Sequence, residues 1–326
     1  MENERSINKT NWQPALVRFE ITSMCSMSCA HCYQSGSSGQ IPDMTLESVK
    51  EVIDRIAATL PVKMLFLGGE PSERKDIVEI IRHAKSKGVY AGIDSNASCL
   101  GKEVLHRLKA AGLDKLNITV YGTSAEVHDH FTQPGHFAQI IEALETAAHF
   151  GMNVDLAFLL TRRNFFELFK IARFAKHYGA KDVHLDVYMA VNSNDNGKYC
   201  LSFLQFLLFW GILRPLLSKI NMLPGSKRNA SLKVSCCERR TIPLVKPDGE
   251  IWPCLFYPVS VGNILKDGWD AIRQKLVNFE YDKSICRRCV ETKLPDSLNN
   301  ASVSNAFFSV FVLKLHGLYN KIMKML

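Results

Sequence analysis

The sequence lacks an apolar segment at its start. Residues 1–12, MENERSINKTNW, are polar or charged, so they have no apolar core of the kind that a secretory signal needs. We therefore expect a cytoplasmic protein. Its ten cysteines are expected to bind metal or do redox work, because disulfides are rare in reducing compartments.

The sequence also lacks an uninterrupted apolar run of membrane-spanning length. Residues 200–217 come nearest, but Gln205, Arg214 and Pro215 interrupt them, so we predict a buried or substrate-covering helix there. Residues 307–326 have the spacing of an amphipathic helix. We expect that helix to pack on the protein itself, and contact with a membrane surface is the alternative.

A basic stripe is missing as well. The formal net charge is +8, from 40 Lys and Arg against 32 Asp and Glu, which by itself would suit a nucleic-acid partner. No segment, however, interleaves clustered Lys and Arg with aromatic residues. We therefore expect no nucleic acid among the partners.

Three cysteines stand close together near the N-terminus, in the run Cys25-Ser-Met-Ser-Cys29-Ala-His-Cys32. The run follows an alternating, strand-like segment, so we expect it to form a loop. Three thiolates on one loop can hold three irons of a cubic cluster and leave the fourth iron without a protein ligand. Zinc is the alternative, with His31 as fourth ligand, although four ligands in eight residues are closer together than in ordinary zinc fingers.

The cysteine run resembles the signature of the radical S-adenosylmethionine (SAM) superfamily, Cys-x3-Cys-x-aromatic-Cys. The resemblance implies that Cys25, Cys29 and Cys32 bind a [4Fe-4S] cluster whose fourth iron is chelated by the amino and carboxylate groups of SAM. His31 occupies the aromatic position, where a flat ring can lie against the adenine.

A second element supports the resemblance. The apolar run 63–67 ends in Gly68-Gly69-Glu70-Pro71. In the family this stretch binds the SAM amino group, and its glycines allow the backbone to approach the ligand closely. The resemblance thus implies that Gly68, Gly69, Glu70 and Pro71 belong to the SAM site.

Strand-like and helix-like segments alternate along the first half of the chain. Strands are predicted at 15–22, 63–67, 89–94, 115–121, 153–160 and 183–188. One helix is predicted to begin after Thr45 as N-cap, and others at 76–87, 103–111, 137–150 and 165–178. Repeated strand–helix units imply a parallel sheet with right-handed crossovers. The predicted fold class is therefore α/β, a partial (β/α)6 TIM-like barrel.

Polar residues share one face of several predicted strands. On the first, fourth and last strands these sets are Arg18, Glu20 and Thr22; Asn117, Thr119 and Tyr121; His184, Asp186 and Tyr188. Helices must cover the apolar faces, so the polar sets should point into the lumen. Mutually satisfied buried pairs are one interpretation. As a set, with Asp155 on the fifth strand, they are expected to line a site for SAM and substrate.

Candidate catalytic residues follow from this arrangement. They are Glu70 of the Gly-Gly-Glu-Pro stretch, the inward-facing Asp186 and Tyr188, and Cys99 and Cys200 as possible hydrogen-atom donors. Ser95-Asn96-Ala97 follows the third strand, where the family commonly has a Thr-Asn-Gly type turn near the SAM ribose or carboxylate. The resemblance implies that Ser95 and Asn96 bind SAM, although Ala97 replaces the usual glycine.

A second group of cysteines stands near the C-terminus. Cys236 and Cys237 precede a turn at Pro247-Asp248-Gly249, which should return the chain so that Cys254 lies near the start of a hairpin. Cys286 and Cys289 follow. The pattern resembles the SPASM extension, or its shorter twitch form, which holds auxiliary [4Fe-4S] clusters. The resemblance implies one auxiliary cluster bound by Cys236, Cys254, Cys286 and Cys289, with Cys236 favoured over Cys237; a structural zinc site is the alternative.

The resemblance implies a radical SAM oxidoreductase or maturase. Such an enzyme cleaves SAM reductively to a 5'-deoxyadenosyl radical, which abstracts hydrogen from an unactivated C–H bond. Val120-Tyr121-Gly122 and Val127-His128-Asp129 look like the peptide-modifying branch, so a ribosomally made peptide is the expected substrate, modified by cross-linking, cyclisation or dehydrogenation. The alternatives are a dehydrogenase or epimerase of a sugar or aminocyclitol, and a non-catalytic iron–sulfur carrier.

The expected partners are SAM, the peptide or small-molecule substrate, and a reductant such as flavodoxin or ferredoxin. The predicted organisation places a small C-terminal α+β cluster-binding extension after the barrel. Its segments are an N-terminal tail at 1–13, the barrel at 14–195, a helical linker at 196–232, the cluster domain at 233–300 and a C-terminal amphipathic helix at 301–326.

Overall fold

The computed structural model describes residues 13–14, 16–34, 39, 41–59, 62–188, 190, 197–209 and 242–280. In its first part strands and helices alternate as predicted: β1 (Val17–Thr22), α1 (Leu46–Ala57), β2 (Lys63–Gly68), α2 (Ile77–Ser86), β3 (Tyr90–Ser95), α3 (Lys102–Ala110), β4 (Lys115–Val120), α4 (Ala125–His128), α5 (His136–His149), β5 (Val154–Leu160), α6 (Ile171–His177) and β6 (Asp182–Val187). Each strand from β1 to β6 pairs in parallel with the next. The predicted α/β class with a partial barrel is confirmed.

Helix α1 illustrates how local sequence sets an element. Its N-cap is Thr45, whose hydroxyl accepts a hydrogen bond from the backbone N–H of Ser48 at 3.2 Å, which satisfies one of the free donors of the first turn. The buried residues Val49, Val52 and Ile56 are spaced by three and four, so one stripe of the helix covers the sheet. Both features were predicted.

The two faces of the sheet differ as the residue alternation predicts. Val17, Phe19 and Ile21 of β1 are fully buried beneath the helices, as are Leu116, Ile118 and Val120 of β4. On the opposite, concave face, His184 is partly exposed and Asp186 is exposed, whereas Glu20 and Thr22 of β1 are buried. The concave face is therefore the polar lumen of the partial barrel.

One predicted helix is wrong in its first half. Residues 165–178 do not form a single α-helix, because Phe165–Phe169 is a 3-10 turn and α6 begins at Ile171. Phe165, Leu168 and Ile171 are all buried, whereas Phe166 and Phe169 are 70% and 57% exposed. A spacing of three matches a 3-10 turn, where positions i and i+3 lie on one side.

The C-terminal part adds to the same sheet. It contains α7 (Phe203–Leu208), β7 (Leu244–Val245), β8 (Glu250–Trp252), β9 (Gly262–Asn263), α8 (Ile264–Asp267) and α9 (Trp269–Asn278). Strand β7 pairs in parallel with β1, and β8 and β9 follow in antiparallel order, giving β6-β5-β4-β3-β2-β1-β7-β8-β9. The predicted hairpin turn is present, with Gly249 at φ 87°, and the hairpin continues the barrel sheet.

The structure describes residues 200–209 of the apolar stretch at 200–217. Helix α7 buries Leu207 but leaves Phe203 40% and Leu204 69% exposed. Within the described residues no helix has the length and apolar character needed to cross a membrane. The predicted C-terminal helix at 307–326 lies outside the described residues.

Candidate active site

The loops after β1, β2, β3 and β4 meet at one end of the sheet, because parallel strands present their carboxyl ends at the same edge. The loop after β1 carries Cys25, Cys29 and Cys32, and it is contacted by the loops that follow β2 and β4. Ala30 N–H donates to the carbonyl of Phe131 at 3.1 Å. This end of the sheet brings the predicted cluster loop and the predicted SAM loop together.

The Gly68-Gly69 turn packs directly on the backbone that leads into the cysteine loop. Gly69 N–H donates to Thr22 O at 2.9 Å, and Glu70 N–H donates to Met24 O at 2.8 Å. A Cβ on Gly68 would lie 2.1 Å from Thr22 O, and one on Gly69 would lie 1.9 Å from Met24 O. Both glycines are therefore required for the loop after β2 to pack against the loop after β1. The sequence suggests a second reason for them, the close approach of SAM.

Glu70 joins this turn to the one after β3. The Glu70 side chain is fully buried, and its carboxylate accepts hydrogen bonds from Ser72 N–H at 2.9 Å, Ser95 Oγ at 2.6 Å and Asn96 N–H at 2.7 Å. Burial raises the pKa of Glu70, and these donors lower it in part. Pro71 begins a 3-10 turn after Glu70. Three of the predicted SAM-site residues, Glu70, Ser95 and Asn96, thus form one hydrogen-bonded unit.

Ala97 adopts the conformation that a glycine usually takes. Its φ is 66°, in the left-handed region, and its N–H donates to Ser95 Oγ at 2.8 Å. A left-handed alanine costs about 1–2 kcal/mol, so the contacts around the turn must hold it in place. The replacement noted in the sequence therefore keeps the backbone geometry.

The three cysteine thiols are half-buried and free of disulfides. Burial, together with the neighbouring cysteines, raises the pKa of Cys29 to about 12, and burial is also the main cause that raises the pKa of Cys25 to about 11. Three such thiols become thiolates when cations bind them. The donor set therefore fits a bound iron–sulfur cluster.

Among the described residues, no group of three or more His, Cys, Asp or Glu side chains is arranged around one point. In an iron–sulfur cluster each thiolate binds a different iron.

His31 is packed among aromatic rings. Its ring lies 4.4 Å from that of Tyr121 and 5.6 Å from that of Phe131, with Tyr188 and Tyr199 at 6.3 and 6.5 Å. Burial lowers the pKa of His31 to about 4, so the ring is neutral. We call the set Tyr121, Phe131, Tyr188 and Tyr199 the aromatic wall.

The other candidate catalytic residues occupy different environments. Tyr188 belongs to the aromatic wall, and Cys200 packs against that wall. Asp186 is exposed on the concave face of β6. Cys99 is exposed on the turn after β3. The structure thus brings Tyr188 and Cys200 close to the cysteine loop through the aromatic wall, and it leaves Asp186 and Cys99 open to solvent.

Two sets of polar side chains form contacts between neighbouring strands in the lumen. Asn117 donates to Asp94 at 2.6 Å, and the fully buried Asp155 is paired with Lys115 and, at 2.7 Å, with His184 Nε2. Burial raises the pKa of Asp155, but hydrogen bonds from His184 and Lys115 outweigh it and hold the pKa below its usual range. These residues pair with one another as the first interpretation expects, but not all of their atoms are satisfied, because the buried Asn117 Oδ1 and Asp155 Oδ1 have no hydrogen-bond partner among the described residues.

Two buried contacts were missed by sequence reasoning. The first joins the barrel to the C-terminal hairpin: Lys246 forms an ion pair with Glu20, whose other oxygen accepts from Tyr33 at 3.0 Å. Glu20 is fully buried, and Lys246 also lies over the ring of Trp252 at 4.7 Å. The inward placement of Glu20 indicated that it needed a partner, but nothing local identified Lys246.

The second missed contact is a buried histidine pair behind the cysteine loop. His128 Nε2 lies 3.0 Å from His136 Nδ1, and His136 Nε2 lies 2.9 Å from Asn96 O. Both rings are buried. His128 lies in the segment Val127-His128-Asp129, which resembles peptide-modifying enzymes, but residue spacing does not identify His136 as its partner.

Asp129, next to His128, caps helix α5. Its carboxylate accepts from Gly135 N–H at 2.8 Å and Phe137 N–H at 2.7 Å. We predict that Asp129→Ala lowers the free energy of unfolding by about 1–2 kcal/mol. Chemical denaturation checks this, with the exposed Glu126→Ala on α4 as a control that removes the same charge. Equal midpoints for the two variants would contradict the capping role.

Of the predicted auxiliary-cluster ligands, the structure describes Cys254. It is half-buried and forms an isolated antiparallel bridge with Tyr257 just after the hairpin. Cys236, Cys286 and Cys289, as well as Cys237, lie outside the described residues. Their assignment remains a prediction.

Two family models match the chain. The model of the radical SAM superfamily matches residues 19–175, and the model of SPASM, an iron-sulfur cluster-binding domain, matches residues 236–290. The first contains the cysteine loop and the Gly-Gly-Glu-Pro turn. The second contains the hairpin and the later cysteines.

Two proteins with similar sequences match different portions of the chain. An AdoMet-dependent heme synthase of Methanosarcina barkeri is 24% identical over an alignment of 314 residues that covers 86% of this chain and 90% of the synthase. A probable GTP 3',8-cyclase of Saccharolobus islandicus is 30% identical over 171 residues, 52% of this chain and 55% of the cyclase. The match thus spans about half of the cyclase's length.

Solved structures share the fold at low identity. The structure of anSMEcpe with bound AdoMet has a TM-score of 0.68 and 15% identity, covering 89% of this chain and 86% of that chain. SuiB of Streptococcus suis bound to the precursor peptide SuiA has a TM-score of 0.63 and 13% identity, covering 84% and 66%.

The family models agree with the half-buried thiol set and the Gly-Gly-Glu-Pro turn that packs against it. The SPASM match likewise agrees with the hairpin beside β1. The chain therefore belongs to the radical SAM superfamily and has a SPASM region, and its cofactors are SAM and [4Fe-4S] clusters.

Proposed function

We propose that this enzyme oxidatively modifies a ribosomally made peptide, by cross-linking, cyclisation or dehydrogenation. When bound at the cysteine loop, the reduced cluster and SAM supply a 5'-deoxyadenosyl radical that abstracts hydrogen from a C–H bond of the substrate. In this proposal Cys25, Cys29 and Cys32 hold the cluster. The polar lumen holds the substrate.

The lumen carries the argument for a peptide. Asp155 and Lys115 are paired with each other and Asp155 is fully buried, which leaves Asp94 and Asp186 against Arg18 among the other described charged residues of the lumen, so acceptors are at least as common as cations. Such a surface suits the N–H donors and carbonyls of a peptide backbone. A ligand with several carboxylates would require an excess of cations.

We assign the binding of SAM to the residues around Glu70. In the proposal the buried carboxylate of Glu70 fixes Ser95 and the Asn96 backbone, while His31 and the aromatic wall exclude water from the radical's path. Tyr188 and Cys200, on the wall, are candidates for donating a hydrogen atom or an electron. Asp186 is a candidate for binding the substrate or accepting its proton, and Cys99 is the least favoured candidate because it is exposed.

The C-terminal region is assigned one auxiliary cluster on Cys236, Cys254, Cys286 and Cys289. Its proposed task is to accept the electron left on the substrate, which makes the net reaction oxidative. A flavodoxin or ferredoxin is the proposed reductant. The segment limits given by the sequence, with the barrel at 14–195 and the cluster domain at 233–300, form part of the same proposal.

A second candidate is a reaction on a tetrapyrrole carboxylate. It is favoured by one observation, the match to an AdoMet-dependent heme synthase over 90% of that protein. The lumen argues against it, because the described part has no surplus of cations to hold several carboxylates.

The test is anaerobic reconstitution followed by reduction and measurement of 5'-deoxyadenosine. We expect wild-type protein to form it, and Cys29→Ala to form none. Peptides encoded beside the gene should increase its yield and change in mass, whereas an iron tetrapyrrole carboxylate should not. Turnover of the tetrapyrrole alone would favour the second candidate, and cluster binding without 5'-deoxyadenosine would indicate a carrier.

Iron and sulfide counting tests the auxiliary cluster. About eight irons per chain support two [4Fe-4S] clusters, and about four argue against the second. A Cys254→Ala variant should lose about half of the iron while keeping the cluster on Cys25, Cys29 and Cys32. Zinc in the C-terminal region would overturn the oxidative mechanism.

A further inference from the structure

The buried histidine pair has a fixed hydrogen-bond direction. Asn96 O can only accept, so His136 Nε2 carries the proton in their 2.9 Å contact. At the other end, Tyr121 N–H can only donate, and it contacts His128 Nδ1 at 3.3 Å. His128 Nε2 must then donate to His136 Nδ1. The contacts at both ends of this series of hydrogen bonds therefore require the same neutral tautomer, with the proton on Nε2, in both rings.

The surroundings of the pair agree with neutral rings. His128 is fully buried and His136 is 2% exposed. Burial is the main cause that lowers the pKa of His128 to about 3, and burial also lowers the pKa of His136. Asp129, the neighbouring carboxylate, is occupied by the N–H groups of α5. The pair therefore acts as a rigid series of donors and acceptors.

The chain of hydrogen bonds ends on a residue whose polar groups are all engaged. Asn96 N–H donates to Glu70 at 2.7 Å, and Asn96 O accepts from His136. Its side-chain Oδ1 accepts from Ser98 N–H at 2.8 Å. This leaves Nδ2 facing Cys25, at 3.6 Å from the sulfur, so the amide orientation is determined by its partners.

A hydrogen bond to a cluster sulfur has a known consequence. It stabilises the more negative, reduced state, so it raises the reduction potential. The turn that carries Asn96 includes the left-handed Ala97, a conformation that persists only where neighbouring contacts hold it. His136 donates the hydrogen bond to Asn96 O, the carbonyl that directly precedes the left-handed Ala97.

We propose that His128 and His136 are positioning residues that hold the Asn96 amide on the Cys25 sulfur and thereby raise the reduction potential of the cluster. This inference rests on the proposed placement of the cluster on Cys25, Cys29 and Cys32. Within the described residues, neither histidine bonds to Cys25, Cys29 or Cys32; the pair reaches Cys25 through Asn96.

The test measures the midpoint potential of the reconstituted cluster without SAM, by an EPR-monitored redox titration. The signal followed is the one that Cys29→Ala lacks. We expect His136→Phe, which keeps the ring volume but removes both nitrogens, to shift the potential downward. His136→Gln, which retains an N–H donor toward Asn96 O, should stay near the wild-type value. His149→Phe is the control, because His149 is exposed on the same helix.

Asn96→Ala should shift the potential in the same direction, and adding His136→Phe to it should shift the potential no further. The proposal would be overturned if His136→Phe shifted the potential equally in the wild-type and the Asn96→Ala protein. It would also be overturned if His136→Phe had full iron content and an unchanged potential. If no signal depends on Cys29, the placement of the cluster is wrong, which is a separate failure.

A second measurement does not require a loaded cluster. Histidine 15N–1H correlation spectra of the apo protein, assigned with His128→Gln and His136→Gln, report which ring nitrogen is protonated. We expect Nε2–H in both rings. An Nδ1–H tautomer in either ring would overturn the proposal even if His136→Phe fails to fold.

Discussion

Gly69→Ala is expected to disrupt the loading of the cluster and the fold at this end of the sheet. A Cβ at this position would lie 1.9 Å from Met24 O, 2.4 Å from Met24 C and 3.0 Å from Cys25 N. These are backbone atoms, so no side-chain rotation can relieve the overlap. Overpacking of a well-packed site typically costs about 1–3 kcal/mol, and we expect at least the upper end of that range here.

The effect should be more than a loss of stability, because the displaced atoms belong to the loop of Cys25. Glu70 N–H donates to the same Met24 carbonyl, so moving it also disturbs the carboxylate that engages Ser95 and Asn96. Iron content after reconstitution, SAM binding and the denaturation midpoint should all fall. The three measurements report on the cluster loop, the SAM site and the fold respectively.

Gly101→Ala is the matched control. A Cβ there would meet no heavy atom within 4 Å, and the φ of Gly101 is −65°, which alanine adopts freely. We expect wild-type iron content and a loss of unfolding free energy of at most about 1 kcal/mol, because Gly101 is the N-cap of α3 and alanine is a poorer cap than glycine. If Gly69→Ala behaved like Gly101→Ala, the close packing of the two loops would be wrong.

Lys246→Met is expected to lower the free energy of unfolding by about 3–5 kcal/mol, because it leaves the carboxylate of Glu20 buried without its cation. Glu20 is 0% exposed, and the side chain of Lys246 is 9% exposed. Tyr33 still donates to Glu20, but one neutral hydrogen bond does not replace an ion pair. The measurement is chemical denaturation at neutral pH.

The double variant Glu20→Gln with Lys246→Met separates the pair from its packing. It removes both charges, so we expect it to recover most of the lost stability. Lys275→Met serves as control, since Lys275 forms a half-exposed pair with Asp267 at 3.3 Å, and solvent-exposed pairs contribute little to stability. A double variant as unstable as Lys246→Met alone would show that the charge of Glu20 is not the cause.

The ion pair also has a structural consequence for the whole enzyme. Glu20 lies on β1, which leads into the cysteine loop, and Lys246 follows β7 at the hairpin turn. Strand β7 pairs with β1 in parallel, so the SPASM hairpin is attached to the strand that leads into the cysteine loop. The two regions predicted as separate segments are joined by one sheet.

Local sequence was sufficient for the elements and for the family. The alternation of apolar and polar residues in β1 and β4 predicted which face packs beneath the helices, because successive strand residues point to opposite sides. On β1 the polar Glu20 and Thr22 of the other face are buried as well. Thr45 and the spacing of Val49, Val52 and Ile56 predicted α1. The 165–178 segment was predicted less well, because an apolar spacing of three is close to that of an α-helix and the choice depends on what the segment covers.

The sequence by itself determined the two chemical signatures, the cysteine run and the Gly-Gly-Glu-Pro turn, because each places its groups within eight residues and needs no distant partner. Only the tertiary structure decided what surrounds them. Lys246 reaches Glu20 across 226 positions of sequence, and His136 reaches Asn96 across 40. A buried charge or N–H group needs some partner wherever it lies, but which residue fills that need depends on how the strands are ordered in the sheet.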